Sequence, residues 1–291
     1  MNLERYAHLA MLLPLSTLAG AQSITLVAPG NVPLPGGSFL MHRSAYVAPG
    51  PAGAGQQFDF SGQTATSSST YTWVAPSTLP NASEFPGATL ALVNPGPDTL
   101  FYAATANGLE RVGDTQTITA LGTAYHFAAP YANSSLELKL PLTYGDVPWT
   151  DQFDGTFTVD GSSASRAGAI TGTADAWGSL MLPGAAVPVQ VLRVTTRVSE
   201  LINITISDFI FPITHVRNVN AYYSLWAKFP MLRTVNDSIS SAAAGTNQSY
   251  AFTEWLDPSE VGIADVAANS FRMQVTPNPA DASAQVAFTG T

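Results

Sequence analysis

The sequence predicts an all-β protein, a β-sandwich of jelly-roll or Greek-key type with little or no helix in the mature chain. Three observations carry that expectation. Only 11% of the 291 residues are charged, against roughly 25% in ordinary globular domains, and 23 glycines and 21 prolines punctuate the chain. Apolar residues alternate with polar ones over many short segments, with turn signals about every 8–12 residues. Beyond the N-terminus no segment carries the 3.6-residue period of an amphipathic helix. Hydrophobic residues make up 46% of the chain, enough apolar surface to fold.

The elements follow in order. Ile24 and Leu26 mark a short strand ended by Pro29-Gly30. Loops over 29–37 and 48–55 flank a strand at Phe39 to Val47, and Phe58 and Phe60 alternate with polar neighbours. A Ser/Thr-rich strand over 64–72 leads into Tyr71 and Trp73, and further strands are expected at 89–93, 100–105, 109–112 and 117–121. Between 135 and 140, Leu136, Leu138 and Leu140 point one way while Glu137 and Lys139 point the other. Phe153, Phe157 and Val159 mark a strand closed by Asp160-Gly161. The most apolar stretch, Thr171 to Arg197, reads as two strands around Pro183-Gly184, central in a sheet with both faces covered. Strands at 202–206, 209–213, 221–226, 229–235 and 250–255 complete the body.

The net charge of −9 and pI near 4.7 argue against nucleic acid as a partner, because phosphate contacts need clustered Lys and Arg. There is no cysteine, so disulfides, thiolate metal sites and cysteine nucleophiles are excluded. Residues 1–21 read as a signal peptide: Arg5 supplies the positive region, Ala7 to Leu18 the apolar stretch, and Ala19-Gly20-Ala21 the cleavage site. No stretch reaches the roughly 20 apolar residues of a membrane helix. Residues 22–265 are read as the β-sandwich body, a single sandwich in preference to two subdomains divided near 145–150.

At the C-terminus Phe271, Met273 and Val275 alternate, Pro277-Asn278-Pro279 breaks the strand, and Val286 and Phe288 resume it. This pattern resembles the opening of the C-terminal (type A) sorting domain of type IX secretion substrates. Residues 266–291 are therefore identified as the start of such a domain, incomplete because the family's domain continues through further strands. Gly53 to Ser61 is similar to a Gly-x-Gly-x-x-Trp-Asp-Phe-Ser opening in secreted proteins with such tails. Tyr223 followed by Lys228-Phe229-Pro230-Met231-Leu232 is similar to a segment near the end of their bodies. The resemblance implies the type IX secretion machinery as partner and Pro277, Asn278 and Pro279 as a sorting motif. It implies passage through the periplasm to the outer cell surface or the medium, and it brings no assigned activity.

Chemistry is sparse in the sequence. No HExxH, GxSxG, phosphate-binding loop or GxGxxG is present. His42, His126 and His215 are far apart, and His215 shares a strand face with Arg217. Asp151, Asp154 and Asp160 lie in the densest carboxylate region and are the candidate ligands for calcium, which takes six to eight oxygens. Calcium is the one cofactor the residues suggest. Glu110, Glu137 and Asp154 are candidates for a facing carboxylate pair. Trp149, between Pro148 and Asp151 in a polar stretch, is the candidate platform for a surface glycan. The expected function is that of an exported, non-enzymatic β-sandwich protein. The alternatives are a carbohydrate-binding module and a hydrolase with a site assembled from distant residues.

Overall fold

The computed structural model describes residues 22–94, 96, 98–120, 123–206, 209–225, 228–243, 245–261, 272–276 and 285–289. The expected signal peptide and Pro277, Asn278 and Pro279 lie outside the described residues. The strands are β1 (Thr25–Leu26), β2 (Ser38–Ala45), β3 (Gly53–Asp59), β4 (Ser67–Val74), β5 (Leu90–Val93) and β6 (Thr99–Thr105). They continue as β7 (Gly108–Ala120), β8 (Thr123–Lys139), β9 (Leu142–Thr143), β10 (Trp149–Val159), β11 (Ser162–Met181) and β12 (Val189–Ile206). Then come β13 (Phe209–Tyr223), β14 (Leu232–Ser241), β15 (Thr246–Leu256), β16 (Arg272–Thr276) and β17 (Gln285–Thr289).

The chain is all-β, 66% strand and 4% helix, as its composition predicts. The sandwich expectation needs correcting, because the main sheet closes on itself into a barrel of 12 strands. Its order is β10-β8-β7-β6-β5-β4-β2-β15-β14-β13-β12-β11, and β11 pairs again with β10. Nearly every strand is hydrogen-bonded to its neighbour in sequence, and Phe252 to Leu256 paired with Met41 to Ala45 join the two ends of the meander. A closed sheet leaves no row of unpaired backbone groups along an edge.

Long strands make closure feasible. β11 runs 20 residues and β12 runs 18, paired antiparallel from Ala164↔Ile204 to Leu180↔Val189 around the expected Pro183-Gly184 turn. The first half of β11 pairs with β10; the second half carries β3 as a parallel thirteenth strand. At the β8–β10 seam the ladder meets at Asn133↔Asp154, and the Asn133 side chain donates to the Gln152 carbonyl. Gly155 allows this approach, since a Cβ there would come within 2.3 Å of the Pro130 carbonyl oxygen.

Apolar packing closes the barrel at one end. Leu26, Leu138, Leu140, Leu142, Trp149 and Leu192 form one buried cluster, with the β1–β9 pair laid across it. A larger cluster joins Phe39, Tyr71, Trp73, Leu92, Tyr222, Phe229 and Trp255. A third, around Phe157, Val159, Ala164 and Ile204, lies toward the other end of β10–β12. Between these regions the interior is charged.

Candidate functional site in the barrel interior

The β-pleat sends alternate residues of each strand inward. On β12 the inward row is Val194, Thr196, Val198 and Glu200; on β13 it is His215, Arg217, Val219, Ala221 and Tyr223. Arg111 on β7, Glu137 on β8, Arg166 on β11 and Arg233 beside Tyr71 complete a polar belt around a cavity of about 190 Å³. Eight strands leave an interior just wide enough for side chains to fill, whereas larger barrels enclose cavities.

Most charges in the belt are matched. Arg166, 2% exposed, donates from Nε to Glu200 at 2.5 Å and from Nη1 to both Asp114 oxygens at 3.1 and 3.2 Å. Its guanidinium also lies 4.6 Å from the Tyr131 ring centre. Arg111 uses Nη2 on Asp114 and Nη1 on Glu137 at 3.4 Å, and Glu137 also accepts from the Tyr102 hydroxyl at 3.0 Å. Arg233 donates to Glu254 at 2.7 Å from Nε, and Arg43 reaches the same carboxylate. His215 bridges Glu200 at 3.3 Å and Asp237 at 2.7 Å.

These contacts set the protonation states. Burial works against the His215 imidazolium, but the bonds to Asp237 and Glu200 outweigh it and lift the pKa to about 9. Burial likewise works against the Glu200 carboxylate, yet His215 and Arg166 hold its pKa down at about 2. The pair is charged at neutral pH.

Arg217 is the exception. It donates no hydrogen bond among the described residues; its nearest carboxylate oxygen, Asp237 Oδ2, is 3.9 Å from Nε, and that nitrogen is buried without a partner. Burial and then the neighbouring Arg233 push its pKa down, although a guanidinium keeps its charge throughout the accessible range. Its side chain is 28% accessible, and the residue lines the cavity. Arg111 Nε is also buried without a partner.

The residues singled out by sequence lie elsewhere. Trp149, expected to be an exposed platform, is only 6% exposed, and its indole N–H donates to the Leu136 carbonyl at 3.0 Å. It starts β10 directly opposite Gly172 and packs into the end cluster, so it presents no free ring face to a sugar. The three aspartates do not converge: Asp151 accepts the Leu136 amide at 2.7 Å, Asp154 is exposed on the opposite face of β10, and Asp160 sits in the following turn. Among the described residues no group of three His, Asp or Glu side chains is placed to hold a metal ion. Of the other carboxylates singled out, Glu110 accepts from Ser134, Glu137 accepts from Tyr102 and Arg111, and Asp154 is exposed on β10.

His42 marks a second feature, on an outer cleft of about 460 Å³. Its Nδ1 is 2.7 Å from Ser68 Oγ and its Nε2 is 2.8 Å from Asp257. Hydrogen bonds from Ser259 and then from His42 hold the Asp257 pKa below the usual carboxylate range. Ser68 faces His42 directly in the β2–β4 ladder, whereas a nucleophilic serine of the elbow type stands on a strained turn.

The fold and cavity define a closed antiparallel barrel with a charged interior. No family model, curated protein or solved structure matches the chain. The sequence reading reached His215 and Arg217 as a shared face but not Arg111, Arg166, Glu200 or Arg233. The available signal was their setting: charged residues inside apolar strands of a charge-poor chain.

Proposed function

We propose that this chain is an exported protein that binds a small polar molecule inside its barrel. The observation that carries the proposal is a cavity of about 190 Å³ lined by Arg217, whose guanidinium has no hydrogen-bond partner among the described residues. Desolvating a donor without giving it an acceptor costs about 1–3 kcal/mol, and strain of that kind concentrates where a ligand is later bound. Residues 1–21 and the tail around Pro277-Asn278-Pro279 supply the route of export in this reading, through type IX-like sorting to the cell surface or medium. No helix among the described residues is long and apolar enough to cross a membrane. The outward row of β10 is Thr150, Gln152, Asp154, Thr156 and Thr158, which supports a water-facing wall, since membrane barrels present an apolar band outward. A surface-glycan role loses its platform with Trp149 buried.

The test is retention of small molecules by the purified protein under native mass spectrometry, after incubation with a mixed pool of sugars, organic acids and amines. Thr196→Met adds bulk to the cavity wall. The proposal expects a retained mass with the wild type and its loss with Thr196→Met. Retention indifferent to that substitution, or no retention at all, contradicts it.

A hydrolytic reading stands second, favoured by the Ser68–His42–Asp257 chain beside the outer cleft. In such a chain the imidazole takes the serine proton and the carboxylate steadies the imidazolium. Labelling of Ser68 by a fluorophosphonate, lost in His42→Gln, is the expected result for that reading; an unlabelled Ser68 ends it.

A further inference from the structure

We infer that the molecule held in the lumen is a small anion, a carboxylate or a phosphate, bound by Arg217; this rests on the lumen-binding reading and specifies its ligand class. A guanidinium carries five N–H donors, and those of Arg217 make no hydrogen bond among the described residues. Asp237 does not fill the gap, because it lies 3.9 Å away and its other oxygen already accepts from His215 at 2.7 Å.

The charges of the belt balance without satisfying those donors. Arg166 is neutralised by Asp114 and Glu200, Arg111 by Asp114 and Glu137, Arg233 by Glu254, and His215 by Glu200 and Asp237. Those four cations face five carboxylates, and Arg217, 3.9 Å from Asp237, brings the count level without any carboxylate close enough to accept a hydrogen bond from it. An acidic group accepts charge-assisted hydrogen bonds from such donors, which are stronger than those a neutral acceptor makes. The neighbouring wall of Val194, Val198, Val219 and Ala221 keeps the dielectric low, so a charge-assisted hydrogen bond there is strong. Arg111, also in the lining, carries a further partnerless donor in its buried Nε. A volume of about 190 Å³, the liquid share of about six waters, limits the ligand to a few heavy atoms beyond its acidic group.

Isothermal titration at low salt tests this with inorganic phosphate and succinate as anionic probes and glycerol and glucose as neutral ones. The expected result is saturable binding of phosphate or succinate, weakened about 10–100-fold in Arg217→Met and lost in Thr196→Met. Binding of one anion and not the other decides between phosphate and carboxylate as the ligand group. In ligand-free protein Arg217→Met should melt at a higher temperature than the wild type, because it removes a desolvated guanidinium that no hydrogen bond compensates; a lower one makes Arg217 a structural partner of Asp237 and overturns the inference. Should that variant fail to fold, the wild type alone still decides: its melting temperature rises in phosphate over chloride at equal ionic strength, and an unchanged one is contrary. Neutral probes that bind and are excluded by Thr196→Met, with anions inert, overturn the anionic assignment while leaving lumen binding intact. If no probe binds, both readings fall.

Discussion

Arg166 is held by Asp114 and Glu200 with almost no access to water, so removing it leaves two buried carboxylates short of their partner. Breaking a buried pair by deleting one member typically costs about 3–5 kcal/mol. Arg166→Met should therefore lower the unfolding free energy by about that amount in urea titration, and a change under 1 kcal/mol would show that the belt is not a structural unit. Its neighbours give a pH dependence of known sign. The folded pKa of His215 is raised from 6.5 to about 9, so its contribution is complete below pH 6.5 and is lost as pH rises through about 9. The folded pKa of Glu200 is lowered from 4.5 to about 2, so its contribution is complete above pH 4.5 and is lost as pH falls toward about 2. Stability attributable to this pair is thus greatest between these limits. In His215→Gln the decline between pH 6.5 and 9 should flatten, and an unchanged slope there would assign the decline to other groups.

Among the elements, β3 depends most visibly on one residue. A Cβ at Gly178 would stand 1.9 Å from the Gln56 carbonyl oxygen and 2.6 Å from its nitrogen, so the parallel ladder of β3 on β11 admits only glycine there. Gly178→Ala should cost about 1–3 kcal/mol, the usual range for overpacking. The amides of residues 53–59 should then exchange faster while those of β12 and β13 stay protected; uniform acceleration would mean that β3 is not a separable layer. Strand existence was legible from sequence because Leu136, Leu138, Phe153, Phe157 and Val159 keep the two-residue period. Strand length was not. Arg166 and Glu200 occupy inward positions of β11 and β12, and Arg111 and His215 do so on β7 and β13, where an apolar residue would have continued the pattern. The strands β7, β12 and β13 therefore each read as two short ones, β8 and β11 read only in their C-terminal parts, and short strands read as a sandwich.

At the scale of the whole molecule, closure into 12 strands explains both the polar interior and the cavity. The inner wall of a barrel this wide exceeds what its apolar residues fill, and ion pairs bonded from strand to strand occupy much of the remainder. Arg166 on β11 bonds Glu200 on the adjacent β12 and Asp114 three strands away on β7, residues 34 and 52 positions apart in the chain. A single sequence read without its topology does not reveal such pairs. The same holds for Trp149: its polar neighbours suggested exposure, and only the β1–β9 cover and the close approach of Gly172 make it a core residue.

The most direct measurement of the central claim is an NMR titration of the arginine Nε–Hε signals with succinate and phosphate, assigned through Arg217→Met and Arg166→Met. Lumen binding predicts saturable shifts of the Arg217 signal, with a smaller response from Arg111 and little from Arg193, which is already engaged by Asp175. Shifts spread evenly over exposed arginines, with Arg217 unmoved, would contradict it.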